Sequence, residues 1–209
     1  MLTFNALENE FGDNYKFMIG SILPRPIAFV TTTNEDGSTN AAPFSFFTGV
    51  SAKPFIVAFC PLIRTSNGEL KDTVKNIQRT KEFVINFTTE DNADLVNMAS
   101  AELPYGEDEL KYAGLTPIDS IDIDVKRVKE SPIHFECRLR DMISYGDKPG
   151  AGTLITGEVV RVHVDENLYE SGRINTQKFK PVGRGAGNDW FKTDSVIIKE
   201  RLMKAQIQK

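Results

Sequence analysis

The feature that most constrains this chain is a two-residue alternation of apolar and polar side chains that returns in one segment after another. The alternation runs through residues 121–126, 133–140 and 160–165. Because successive side chains of a strand point to opposite faces, each segment predicts a strand with one buried and one solvated face. Repeated along the chain, this pattern is typical of an antiparallel sheet.

Other segments complete a mainly β chain. Further strands are predicted at 26–33, 40–47, 55–60 and 83–87, with a turn at Asn34-Glu35-Asp36-Gly37. Short helices are predicted at 72–79, 92–101 and 108–112, and residues 197–209 are predicted as a helix or a frayed arm. Many strands with few helices favour a closed barrel, because closure removes exposed sheet edges. The length fits a single domain over residues 1–209.

Composition excludes several classes of protein. The chain has 25 basic against 29 acidic residues, without the basic surplus that nucleic-acid binding requires. Two cysteines cannot form a disulfide scaffold. No apolar run is long enough to cross a membrane, and the first residues do not resemble a signal peptide. We therefore expect a cytoplasmic protein that binds neither membranes nor nucleic acids.

The strongest local signal is the stretch RTSNGELKDTVKN at residues 64–76. It places Arg64, Lys71 and hydroxyl side chains just before a predicted helix, which Asp72 is expected to cap. A helix N-terminus presents free N–H groups and a partial positive charge, so it attracts phosphate. From the residues alone, a loop that only caps the helix is an equally good interpretation.

A second signal is the stretch NAAPFSFF at residues 40–47. Because proline cannot donate to a strand ladder, Pro43 predicts a bulge or a sheet edge. Exposed backbone beside aromatic side chains suits a planar heteroaromatic ring. The alternative is a phenylalanine-rich core strand, which these residues alone favour.

Other candidate groups are weaker. The stretch GRGAG at 183–187 lacks the βαβ context of a dinucleotide site and predicts a surface loop. His134 and His163 fall on polar strand faces and are expected to be solvated. Residues 107–109 are predicted as a solvated helix start, and Cys60 as a buried structural thiol.

Taken together, these segments resemble the flavin reductase-like family of FMN-binding split barrels, which includes flavoredoxins. The resemblance runs from about Met18 through the predicted strand at Val160. Its motifs, in order, are RPIAFVTT at 25–32, the turn at 34–37, the strand at 40–47, KDTxxNI at 71–77, SPxxxEC at 131–137 and GEVV at 157–160.

The resemblance implies a split β-barrel, a six-stranded antiparallel Greek-key barrel with a few peripheral helices. It also implies a homodimer with FMN near the dimer interface. The ring and ribityl chain would contact Asn40, Ala42, Pro43, Phe44, Ser45 and Phe46. The phosphate end would be surrounded by Arg64, Lys71, Asp72, Thr73 and Asn76, and Arg184 joins the cofactor-binding set.

The implied activity is an oxidoreductase that takes hydride from NADH or NADPH to the flavin. Electrons would then pass to a partner oxygenase or another acceptor. The flavin carries the chemistry, so neither a catalytic side chain nor a metal is expected. Many family members have a histidine shortly before the Gly-Glu-Val motif, whereas residues 150–156 contain none. Two alternatives therefore stay open: a flavoredoxin-like electron carrier without direct NAD(P)H turnover, or a non-catalytic flavin-binding protein.

Overall fold

The computed structural model describes residues 1–104 and 106–200. Helices α1 to α5 span Phe11–Ser21, Asp72–Thr80, Ala93–Met98, Glu109–Ala113 and Thr176–Phe179, and a 3-10 turn spans Glu166–Leu168. Strands β1 to β14 span Arg25–Pro26, Ala28–Thr33, Thr39–Phe44, Phe47–Ala52, Phe55–Phe59, Glu82–Phe87, Pro117–Ile118, Arg127–Val128, Ile133–Ser144, Thr153–Val164, Tyr169–Glu170, Arg173–Ile174, Val182–Arg184 and Trp190–Lys192.

One large sheet curls into a barrel. Its seven strands follow the order β3-β2-β6-β9-β10-β5-β4, and neighbouring strands are antiparallel. The two edge strands, β3 and β4, are consecutive in the chain and are joined only by Ser45 and Phe46. So short a link forces the two edges of the sheet together, and the barrel remains split between them. The predicted mainly β barrel is confirmed.

The sheet has seven strands where the resemblance implied six, because residues 40–47 do not form one strand. The chain bends at Ser45 and Phe46, and the hydroxyl of Ser45 lies 3.2 Å from Nε of Arg25. From Phe47 onward the backbone leaves β2 and pairs with β5 at the other edge of the sheet. The alternation could not reveal this change of partner, because both strands keep the same two-residue period.

The barrel interior is apolar and tightly packed. Its buried core is formed by Ala28, Val30, Phe44, Val57, Phe59, Val74, Ile77, Phe83, Ile85, Cys137 and Ile155. Gly157 on β10 allows this packing, since a Cβ atom there would lie 2.3 Å from Cζ of Phe83. The outer face of β2 and β3 is covered by α3 and α4, where Phe29 and Ala41 pack against Val96 and Leu110.

The strand predicted at 121–126 is wrong. These residues form a bent loop, although Ile123 and Val125 are buried against Val84 as the alternation suggested. The N–H groups of Ile121 and Asp122 donate to the carboxylate of Glu136, at 2.8 and 2.7 Å, instead of to a neighbouring strand. A buried side chain has thus taken the place of a strand partner.

The three predicted helices are present, and α1 and α5 are two additional ones. Residues 197–200 adopt neither helix nor strand, and the rest of the predicted C-terminal arm, 201–209, lies outside the described residues. Across the described ranges, the helices are too short or too polar to span a bilayer.

Candidate functional site

Two adjoining cavities lie against β3 and share Pro43 and Ser100 in their walls. The first, which we call the basic cavity, has a volume of ≈ 70 Å³ and includes the start of α2. The second, which we call the tryptophan cavity, has ≈ 180 Å³ and includes Trp190. Eight predicted site residues line the basic cavity: Asn40, Ala42, Pro43, Phe44, Arg64, Lys71, Asp72 and Thr73. Pro43, Ser45 and Arg184 line the tryptophan cavity.

Pro43 lies where the sheet ends. β3 is an edge strand, and the N–H of Ala41 points away from β2 to donate to Oε2 of Glu109 at 2.9 Å. Backbone groups two residues apart point the same way, so the nitrogen of Pro43 also faces away from β2. A proline there removes no ladder hydrogen bond. The expectation of a sheet edge at Pro43 is confirmed.

The start of α2 is organised by an arginine and an aspartate. Arg64 donates to Oδ2 of Asp72 and to the carbonyl of Leu70, both at 2.7 Å. Asp72 was expected to cap the helix, but Lys71 occupies the cap position and no side chain hydrogen-bonds there. Asp72 instead occupies the first helical position, where Arg64 claims its carboxylate. The first N–H groups of α2 therefore remain without a side-chain cap beside the basic cavity.

Lys71 lies at the mouth of the same cavity. Its Nζ is 3.1 Å from Oε1 of Glu102, and its side chain is 31% exposed. The other oxygen of Glu102 accepts a hydrogen bond from the hydroxyl of Ser66 at 3.2 Å. One ammonium and one hydroxyl thus converge on a single carboxylate at this wall.

Thr73 and Asn40 connect α2 to the edge strand. Nδ2 of Asn40 donates to the hydroxyls of Thr73 and Thr32, both at 3.0 Å. The Thr73 hydroxyl retains its own proton for an acceptor in the cavity. Asn76 lies one turn deeper, donates to Thr32 and Asn34, and lines neither cavity. Its observed contacts are with the β2–β3 hairpin.

Glu109 was not selected as a site residue, and the expectation that it is solvated is wrong. It is 8% exposed and lines the basic cavity beside Asp72. Burial raises the pKa of its carboxyl to about 7, although the hydrogen bond from Ala41 opposes the shift. The spacing offered a signal, because residue 113 is apolar and lies four positions after Glu109, on the same face of a helix.

The tryptophan cavity depends on two arginines. The guanidinium of Arg184 lies 5.4 Å from the ring centroid of Trp190. Arg25, which sequence reasoning did not select, is 4% exposed and donates to Ser45 and to the carbonyl of Gly185. Its guanidinium also lies over the ring of Phe46, at 5.9 Å from the centroid. Phe46 therefore supports Arg25 and lines neither cavity.

The glycine-rich stretch is only partly a loop. Val182–Arg184 forms β13 and pairs with β1, opposite Arg25 and Pro26. Gly183 is required there, because a Cβ atom would lie 2.8 Å from Cβ of Pro24. This pairing is what brings Arg184 beside the edge of β3.

Residues 19–182 match the family model described as the flavin reductase like domain. The chain belongs to this family. The Bacillus cereus nitrilotriacetate monooxygenase component B has 41% sequence identity, and its structure superposes with a TM-score of 0.87 over 97% of this chain and 98% of that one.

Two further structures bear on this flavin reductase-like protein. The 2-nitrobenzoate 2-nitroreductase of Pseudomonas fluorescens is 28% identical, with a TM-score of 0.85 over 96% of each chain. A Shewanella frigidimarina protein with a split barrel domain is 21% identical, with a TM-score of 0.81 over 97% of this chain and all of that one. The latter similarity concerns the fold alone, and it confirms the split barrel.

The site of this flavin reductase-like protein is chemically suited to a phosphorylated ring compound. The basic cavity offers Arg64, Lys71, the Thr73 hydroxyl and the start of α2. The tryptophan cavity offers an aromatic ring and the proline edge of β3. Donor chemistry at one end and stacking surface at the other match the two ends of a flavin mononucleotide.

The two histidines lie apart from this site, in a cavity of ≈ 580 Å³ that both of them line. The expectation that they are solvated is wrong for His134, which is buried and whose Nδ1 lies 3.0 Å from Oδ1 of Asn86. Burial lowers the pKa of His134 to about 3. His163 is partly buried, with Nε2 at 2.6 Å from Oε1 of the fully buried Glu136. Within residues 1–104 and 106–200, no cluster of three or more His, Cys, Asp or Glu is placed to hold a metal.

Both cysteines are free thiols. Cys137 is buried in the barrel core, and Cys60 is partly buried. Burial raises the pKa of both thiols, so each is held protonated and unreactive at neutral pH.

Proposed function

We propose that this protein binds FMN across the basic and tryptophan cavities and works as a flavin-dependent oxidoreductase with NADH or NADPH as electron donor. The observation that carries the proposal is the uncapped start of α2, which opens toward Lys71 and Thr73 beside the proline edge of β3. A dedicated helix cap would hydrogen-bond those first N–H groups, and no side chain does so here.

The phosphate group belongs in the basic cavity. Lys71 and the Thr73 hydroxyl supply a positive charge and a donor, and the α2 N-terminus adds a partial positive charge. Arg64 contributes through its remaining N–H groups, while its contact with Asp72 fixes the guanidinium plane. Asp72 is thus a positioning residue for Arg64, since its carboxylate would repel a phosphate.

The ring belongs against Pro43 and Trp190. Ser45 is held by Arg25 at the bend between β3 and β4, where its hydroxyl can orient a polar ring edge. A flavin held there would supply hydride acceptance and onward electron transfer. The protein residues bind the ring, orient it and exclude water from one of its faces.

The decisive experiment is a visible spectrum of the purified protein, recorded before and after anaerobic addition of NADH or NADPH. We expect a flavin spectrum, or FMN fluorescence quenching with a dissociation constant of about 1 µM or lower, near −8 kcal/mol. Bleaching by one nicotinamide would identify the donor. A titration with no quenching would overturn the proposal of FMN binding.

A second candidate is an electron carrier that holds FMN without direct NAD(P)H turnover. The absence of histidine from residues 150–156 favours it, and both histidines lie in a separate cavity. Slow bleaching by both nicotinamides, together with rapid reduction by dithionite, would identify the carrier. A protein that binds flavin but cycles with neither reductant would be a non-catalytic binding protein.

We also propose a homodimer that serves a partner oxygenase or another electron acceptor. Helix α1 leaves Phe11, Phe17 and Met18 exposed, and β4 leaves Val50 exposed, which is unusual for a monomer surface. The resemblance to a monooxygenase component supports the oxygenase partner. Light scattering should give the mass of two chains, and the mass of one chain with FMN bound would refute the dimer.

A further inference from the structure

We propose that the carboxylate of Glu102 occupies the place of the flavin phosphate and must be displaced before FMN binds. This inference rests on the proposed function. Glu102 then competes with the phosphate of FMN for Lys71. This competition sets both the affinity for FMN and the preference for FMN over riboflavin.

The contacts of Glu102 are those of a bound anion. Oε1 lies 3.1 Å from Nζ of Lys71, and Oε2 accepts from the hydroxyl of Ser66 at 3.2 Å. A charged amine and a hydroxyl that converge on two oxygens form the same donor arrangement that a phosphate uses. Glu102 is 31 positions from Lys71 and 36 positions from Ser66 in the chain. The contact is therefore tertiary and does not depend on helix capping.

The other charges of the cavity lead to the same conclusion. Arg64 is already bound to Asp72 at 2.7 Å, and this pair is largely buried, with side-chain exposures of 12% and 8%. The Lys71–Glu102 pair is far more open, at 31% and 54%. Exposed ion pairs are weak and exchange readily, whereas buried ones do not. Lys71 is therefore the cation that can exchange its partner for a phosphate.

The size of the cavity requires some such exchange. Pockets for ligands the size of FMN usually enclose about 300–1,000 Å³. The basic and tryptophan cavities have ≈ 70 and ≈ 180 Å³, and even together they fall below that range. Glu102 and Lys71 both lie in the wall of the smaller one. Because more than half of the Glu102 side chain is exposed, it can rotate into water without moving the backbone. That rotation frees Lys71 and Ser66 at the same time.

The test replaces Glu102 by glutamine, which keeps its size and removes its charge. We expect Glu102→Gln to bind FMN about three- to tenfold more tightly than the wild type, as judged by fluorescence quenching. Riboflavin has no phosphate and does not compete with Glu102, so its affinity should not change. Glu107→Gln removes an exposed carboxylate five positions along the chain that does not line the cavity. It is the matched control and should leave both affinities unchanged.

A second comparison isolates the lysine. In a Lys71→Ala background, Glu102→Gln should lose most of its effect on FMN, because the contested cation is gone. If Glu102→Gln leaves FMN affinity unchanged or lowers it, the carboxylate is a bystander or an orienting partner of Lys71, and the inference is overturned.

Inorganic phosphate separates this inference from the proposed function. We expect phosphate to raise the melting temperature of Glu102→Gln more than that of the wild type. One outcome is that no variant quenches the fluorescence of FMN or riboflavin, while phosphate still raises the melting temperature of Glu102→Gln more than that of the wild type. In that case the flavin proposal fails and the anion competition stands. If phosphate affects both proteins alike and FMN affinity is also the same, the competition fails, whether or not flavin binds.

Discussion

The carboxylate of Glu109 on α4 accepts a 2.9 Å hydrogen bond from the backbone N–H of Ala41 on β3, from 68 positions away in the chain. Residues 41 and 43 of β3 both face away from β2, and a proline has no N–H. The N–H of Ala41 is therefore the outward-facing donor at this end of the strand, and Glu109 accepts from it. The contact also closes one wall of the basic cavity with a titratable group. The position of β3, and therefore of the candidate site, is thus linked to the protonation of one side chain.

Glu109 should make stability fall as pH rises. The ordinary carboxyl value is 4.5, and burial raises the folded-state pKa to about 7. Between these values the folded protein holds a proton that the unfolded chain has released, so the stabilisation is complete below 4.5 and is lost as pH rises through about 7. Allowing for solvent screening, we expect a loss of about 1–2 kcal/mol.

Urea denaturation of Glu109→Gln from pH 5 to pH 8 tests this expectation. Glutamine keeps an acceptor for Ala41 but has no proton to lose. The variant should therefore gain stability relative to the wild type as pH rises. Glu107 is exposed, so Glu107→Gln serves as the control and should follow the wild-type curve. Parallel curves for wild type and Glu109→Gln would contradict the assignment.

Lys71→Ala should weaken FMN binding by about ten- to a hundredfold, because a charge-assisted hydrogen bond contributes about 1.5–3 kcal/mol. Riboflavin affinity should hardly change. Lys71 uses only its backbone at the helix cap, so the substitution leaves α2 intact. Lys111→Ala is the matched control, since Lys111 is exposed and lies outside the cavity wall. Equal losses for both ligands would place the phosphate elsewhere.

Trp190→Ala should weaken FMN and riboflavin alike, by about three- to tenfold, because both ligands carry the same ring and aromatic contacts contribute about 0.5–1.5 kcal/mol. Its neighbour Phe191 is 38% exposed and does not line the tryptophan cavity, although both side chains line a separate cavity of ≈ 720 Å³. Phe191→Ala should therefore leave both affinities close to wild type. A loss confined to FMN would show that Trp190 acts near the phosphate and not the ring.

Gly157→Ala should destabilise the barrel by about 1–3 kcal/mol or more. The added Cβ would lie 2.3 Å from Cζ of Phe83 and 3.2 Å from Cβ of Cys137, both buried in the core. Gly49→Ala, on strand β4, is the control because its Cβ would have no heavy atom within 4 Å. Thermal unfolding of the two variants should differ clearly, and equal melting temperatures would argue against this packing.

Local pattern predicted most of the strands but not their partners. The segments 133–140 and 160–165 became β9 and β10, and the helices near residues 72, 93 and 109 were found. The segment 121–126 had the same alternation and failed, because Glu136 took the backbone donors that a strand would have offered to a neighbour. Alternation distinguishes the two faces of a segment, but it reports neither how deeply each face is buried nor what the backbone bonds to. Ile121, Val160 and Val162 are exposed, and Glu136 is buried.

For the candidate site as well, the local sequence predicted some residues and missed others. Eight predicted residues line the basic cavity. They come from the stretches 40–44 and 64–73, and residues that are close together in sequence also stay close together in space. Arg25 and Glu109 were missed because their acceptor and donor come from distant segments. Phe46 and Asn76 lie in the right segments but point toward other partners.

The sequence by itself determined the barrel class, the proline edge and the basic helix start, since each follows from side-chain period or chemistry within about ten residues. Only the tertiary structure decided that Glu109 is buried, that Glu102 meets Lys71, and that β13 carries Arg184 to the edge of β3. The physical reason is that the state of a polar side chain depends on its partners. Those partners are brought together by closure of the barrel, which no local pattern encodes.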